Sequence, residues 1–204
     1  MRTVDPEKHA AQRRAVLQAA KACFARHGFH KTSTEAICAE AGTSSGKLFH
    51  YFPTKRAIVL AVVEDQLQET AAYLDSLSQQ RDLSSSLLDF LDIILHLASS
   101  PDERRLVMET VAEAARDEDV RALNDAGDKL LAEGLTAILT EAIARGQADP
   151  VVPTEHAVRF LMMMTDGIFS RASVDTGFDP SRERASLRKI LGETLRLSGS
   201  SGND

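Results

Sequence analysis

Apolar residues recur at three- and four-residue spacing along nearly the whole chain, and the places where the rhythm breaks divide it into nine predicted helices. From about His9 to His27, Val16/Leu17, Ala19/Ala20 and Cys23/Phe24 line one side, and Gly28 closes the run where a positive φ is needed. Residues 1–8 are expected to fray. Two short runs follow, TEAICAEA and SGKLFHYF, separated by Gly42 and stopped by Pro53. Thr32 with Glu35 has capping-box spacing, with Ser33 as the alternative cap. Ser44 or Ser45 caps the second run, whose apolar residues are Leu48 and Phe52. Two helices joined by so short a Gly-containing turn make a helix-turn-helix, or, in the plainer reading, an ordinary helical hairpin.

Thr54 restarts the chain as the cap of a fourth helix reaching about Ser78, with Leu60, Val63, Leu67, Leu74 and Leu77 on one side. Its length predicts a reach from the head into a second domain. A fifth helix is expected over Leu83 to Ser99, a sixth over Asp102 to Ala115 behind Pro101, and a seventh over Asp119 to Arg145. The two prolines of GQADPVVPTE make a break. The eighth helix is apolar nearly all round between Phe160 and Met164. One buried face does not absorb such a helix, so a second covering surface is expected. The ninth presents Leu187, Ile190, Leu191, Thr194 and Leu195.

Composition agrees with an all-helical chain: Gly 11, Pro 6 and no Trp in 204 residues. No apolar run reaches bilayer-spanning length, and MRTVDPEKHAAQRR lacks the apolar segment of a signal peptide. Cys23 and Cys38 fit reduced core thiols of a cytoplasmic protein. The net charge of −6 is unevenly spread. Residues 1–56 hold ten Lys and Arg against four acids, so that head carries +6 and the remainder −12. A basic head draws a polyanion to the two short helices.

Catalytic patterns are absent. The six histidines are scattered, with no HExxH or Cys-His metal spacing. GTSSGK sets its glycines too close for a Walker loop, and no GxSxG elbow occurs. The acid pairs Asp117/Asp119 and Asp89/Asp92 read as solvated helix surface. No enzyme, cofactor or metal is expected.

Phe24, Gly28, Phe29, Thr32, Ser33, Ile37, Ala41, Gly42, Ser44, Gly46, Leu48, Phe49, His50, Tyr51, Phe52 and Lys55 together resemble the head of the TetR/AcrR family of transcriptional regulators. The later helices resemble its regulatory domain in number and order. The resemblance implies an all-α fold: a three-helix DNA-binding head with a helix-turn-helix at 1–53, then an effector-binding and dimerisation domain at 54–204. It implies that Ser33 and Thr43 meet phosphates, that Ser44, Ser45 and Lys47 front the recognition helix, and that His50, Tyr51 and Lys55 touch backbone or an adjacent base. Phe49 departs from the usual Tyr and lacks its phosphate-donating hydroxyl. The function expected is a homodimeric, ligand-released repressor on a palindromic operator. Double-stranded DNA, a second copy and an unidentified small-molecule effector are its partners, and no membrane is. Pocket candidates are Phe90, Ile94, Met108, Thr110 and Leu131. Interface candidates are Phe160, Met163, Met164, Ile168, Leu187, Leu191 and Leu195. The alternative is a helical protein-interaction module that no longer reads DNA.

Overall fold

The computed structural model describes residues 6–198. Among these there are nine helices and no strand: α1 (Pro6–Lys31), α2 (Thr34–Glu40), α3 (Ser45–Tyr51), α4 (Lys55–Ser78), α5 (Leu83–Ser99), α6 (Pro101–Ala114), α7 (Glu118–Ala144), α8 (Thr154–Val174) and α9 (Pro180–Leu195). Part of the stretch expected to fray is therefore ordered, because helix α1 begins at Pro6, where a missing N–H costs nothing. Residues 1–5 lie outside the described residues. Helix α1 is broken at Gly28, whose φ of 78° and ψ of 166° only glycine adopts readily.

Packing divides the chain into two compact units, residues 1–66 with 105–124, and 67–104 with 125–204. The first unit extends past residue 53 and keeps the start of α4, most of α6 and the start of α7. Its core joins Val16, Leu17, Ala20 and Phe24 of α1 to Ile37 of α2, Leu48 of α3, Ile58 and Val62 of α4, Leu106 of α6 and Val120 of α7. Phe24 and Phe29 meet edge to face, 5.0 Å between centroids.

Polar contacts tie α6 and the following turn into this unit at four-residue intervals. Arg105 donates to the carbonyls of Ala25 and Arg26, 2.8 and 2.7 Å away. The Glu109 carboxylate accepts from Phe29 N–H at 2.9 Å, and Glu113 lies 2.9 Å from His30 Nε2. Asp117 accepts from Arg56 at 2.6 and 2.8 Å, with Asp119 on the same guanidinium. Asp117, 17 % exposed, and Asp119, 65 % exposed, thus clasp Arg56 together. Spacing along the chain does not show a partner sixty residues away.

The second unit is built around α5, which buries Leu83, Leu87, Phe90, Leu91, Ile94, Leu95 and Ala98. Asp82 caps it, accepting from Ser85 N–H. Of the second pair, Asp89 is exposed as expected, whereas Asp92 binds Arg184 and Arg188 of α9 and so fixes α9 to α5. The Arg184 guanidinium beside it holds the Asp92 carboxyl below its ordinary range. No single described helix is long and apolar enough to cross a membrane.

Candidate nucleic-acid interface

Helix α2 starts on Ser33, whose hydroxyl accepts from Ala36 N–H at 3.2 Å. Thr32 is not the cap: it is buried and donates to the carbonyls of Gly28 and Cys23 at 2.8 and 3.1 Å. Helix α2 ends in a Schellman arrangement. Thr43 N–H donates to Cys38 O at 3.0 Å, Gly42 N–H donates to Ala39 O at 3.3 Å, and Gly42 takes a φ of 59°. That turn aims α3 away from α2.

Helix α3 is seven residues long and is held from behind by Leu48 (0 % exposed) and by Phe52 just past its end (2 %). These two are four residues apart, so one stripe is inward and the rest of the helix faces out. Ser44, Ser45, Lys47, Phe49 and His50 are exposed. Ser44 occupies the cap position but makes no side-chain capping bond, which leaves its hydroxyl available. Thr43 is half-buried beside this row. Phe49 presents an exposed ring with no hydroxyl.

Two expected contact residues are engaged inside the protein. The Tyr51 hydroxyl donates to Gln12 Oε1 at 3.1 Å, and Lys55 Nζ donates to the His30 carbonyl at 2.9 Å. His50 stands 3.4 Å, Nε2 to Nε2, from His9. Sequence reasoning missed Gln12 and His9, since neither is near the motif in the chain.

An open cleft of about 580 Å³ also lies in the first unit, lined by Arg26, His27, Gly28, His30, Lys31, Arg105 and Glu109. None of these was a candidate. The pocket candidates do not share one compact unit. Phe90 and Ile94 are buried on α5 and Leu131 half-buried on α7, all in the second unit, while Met108 and Thr110 of α6 lie in the first. Thr110 donates to the Leu106 carbonyl at 3.0 Å. Of the interface candidates, Ile168, Leu191 and Leu195 are buried in the second unit's own core. Phe160, Met164 and Leu187 are half-buried, and Met163 is 60 % exposed. Val174 and Ile190, which were not candidates, are 73 % and 50 % exposed.

A short exposed helix carrying hydroxyls, an amine and an imidazole, locked by two apolar residues onto the apolar core of a basic head, defines a helix-turn-helix DNA-binding protein. A family model described as bacterial regulatory proteins of the tetR family matches residues 16–62. A second, described as the C-terminal part of BetI-type transcriptional repressors, matches residues 84–196, more than half the chain. The chain belongs to the TetR family of transcriptional regulators, which are not enzymes. It is 27 % identical over 192 residues to the HTH-type transcriptional regulator UidR of Escherichia coli K12, covering 91 % of this chain and 94 % of that one. The solved structure of Salmonella enterica GusR superposes with a TM-score of 0.74 at 26 % identity, over 97 % of this chain and all of that one. The SmeT–triclosan complex shares the fold with a TM-score of 0.75 at 24 % identity, covering 94 % of this chain and 95 % of that one.

Proposed function

We propose that the protein is a homodimeric repressor that reads a palindromic operator through α3 and releases it when a small molecule binds the second unit. The observation that carries the reading is the outward row Ser44, Ser45, Lys47 and His50, fixed from behind by Leu48 and Phe52. Lys47 and Ser45 reach base edges, the lysine toward guanine O6 and N7. Ser33, Thr43, Ser44, His50 and Lys55 meet phosphates, Lys55 with the ammonium hydrogens that His30 leaves over. Phe49 lies against the sugar–phosphate backbone by its ring alone. All of these but Lys55, which opens α4, fall in a DNA-binding domain at 1–53.

The second unit supplies dimerisation and effector binding. Met163 on α8 and Ile190 on α9 are exposed, and Phe160, Met164 and Leu187 are partly so. Such apolar surface on the last two helices supports a seam with a second copy, since large exposed apolar patches mark contact surfaces. Ile168, Leu191 and Leu195 back that seam from inside. Phe90, Ile94 and Leu131 are the effector-facing candidates that the second unit itself contains. The triclosan bound by SmeT supports a small-molecule effector. Helix α4 contributes residues to both units and is the element through which an effector alters the head.

The test is selection of duplexes from a randomised library by the full-length protein, followed by titration of the tightest duplex. The expected result is enrichment of an inverted repeat, with Lys47→Ala weakening binding by ~1–3 kcal/mol. Failure to enrich any duplex at low salt favours the protein-interaction module instead.

A further inference from the structure

Helix α3 has only two turns, too few to hold its own direction in water, so what packs on its last turn decides where His50 points. Three residues of α1 do that packing. His9, Gln12 and Arg13 sit at i, i+3 and i+4 and therefore share one face of α1. They meet three consecutive residues of the recognition segment. His9 Nε2 is 3.4 Å from His50 Nε2, and its ring centroid lies 4.7 Å from that of Tyr51. Gln12 Oε1 accepts the Tyr51 hydroxyl hydrogen at 3.1 Å. The Arg13 guanidinium carbon is 4.9 Å from the centre of the Phe52 ring, a cation–π distance. Tyr51 is itself only half-exposed, with its hydroxyl turned back toward α1.

We infer that this face of α1 is a clamp on the recognition helix, and that Tyr51 is a positioning residue whose hydroxyl serves Gln12 instead of a phosphate. The clamp rests on the DNA-reading proposed above and adds to it a set of residues that govern affinity without touching the duplex. The expected contact of Tyr51 with the nucleic-acid backbone is replaced by an internal bond. His9 orients the imidazole of His50 toward the same duplex.

A double-mutant cycle tests it, using the full-length protein, the tightest duplex selected by the wild type, and a scrambled duplex of equal length. Gln12→Met and Tyr51→Phe are each expected to weaken binding to the selected duplex roughly three- to tenfold, with a smaller change on the scrambled one. The double variant is expected to be no weaker than either single one, because both remove the same bond. In the Gln12→Glu protein, whose carboxylate still accepts the hydroxyl hydrogen, Tyr51→Phe regains its cost. Additive losses in the cycle would mean that the hydroxyl serves DNA directly, and wild-type affinity in Gln12→Met would mean that the bond positions nothing. Either result overturns the clamp. A second measurement needs no DNA: amide exchange at residues 49–52 is expected to speed up in Gln12→Met and in His9→Ala, with the rest of the head unchanged. Unchanged exchange there overturns the clamp, whereas a wild type that enriches no duplex overturns the DNA-reading alone.

Discussion

Asp117 gains its role from Arg56, sixty-one residues earlier in the chain. The Arg56 guanidinium holds the Asp117 carboxyl at about 2, against an ordinary value of 3.8. A carboxyl depressed in the folded state adds stability that is present above its unfolded value and lost as pH falls through its folded value. Wild-type protein is therefore expected to lose this contribution between about pH 4 and pH 2. Asp117→Asn should show a shallower acid dependence over that window in thermal melts; equal slopes would contradict the clasp. Gly28 is the second residue whose identity is dictated locally. A Cβ there would lie 2.8 Å from Glu109 Oε1, and that carboxylate is held by Phe29 N–H, so it has little freedom to yield. With a φ of 78° as well, Gly28→Ala is expected to cost ~1–3 kcal/mol in denaturant unfolding. The end of the first helix was legible because glycine is the residue such a turn requires. Glu109 beside it was not, because nothing in local spacing names a partner eighty residues on.

At the scale of elements, the rhythm of apolar positions was enough to place the helices: α4 and α5 end where the pattern predicts, and α6 and α7 begin within a residue of it. Helix α3 was readable for the same reason, since Leu48 and Phe52 are the inward pair that its sequence requires. Leu48→Ala is expected to cost ~2–5 kcal/mol of stability, measured by denaturant unfolding, because it empties a fully buried site under the reading surface. What covers an apolar stripe was not legible. Ile168, Leu191 and Leu195 carry the periodicity of an interface, yet that same periodicity serves burial within the chain's own core, where they lie. Tyr51 is the parallel case in the head. Its position in the motif implies contact with the nucleic-acid backbone or an adjacent base, while a glutamine thirty-nine residues upstream takes its hydroxyl.

At the scale of the whole molecule, positive charge is concentrated in the head, whereas most of the exposed large apolar residues lie beyond it. The head carries +6, and the remainder, which bears Met163 and Ile190, carries −12. Light scattering on the eluted protein is expected to give the mass of two chains, and Met163→Glu with Ile190→Glu that of one chain with unchanged helical circular dichroism. A single-chain mass for the wild type at micromolar concentration would remove the seam. Binding of duplex DNA by the basic head through α3 is tested by the affinity for the selected duplex as a function of salt. Counterion release predicts that log K falls linearly with log salt, by ~0.9 for each phosphate neutralised, and that Lys47→Ala lowers affinity at every salt concentration. Binding indifferent to salt, or equally strong with and without the Lys47 ammonium, would contradict it.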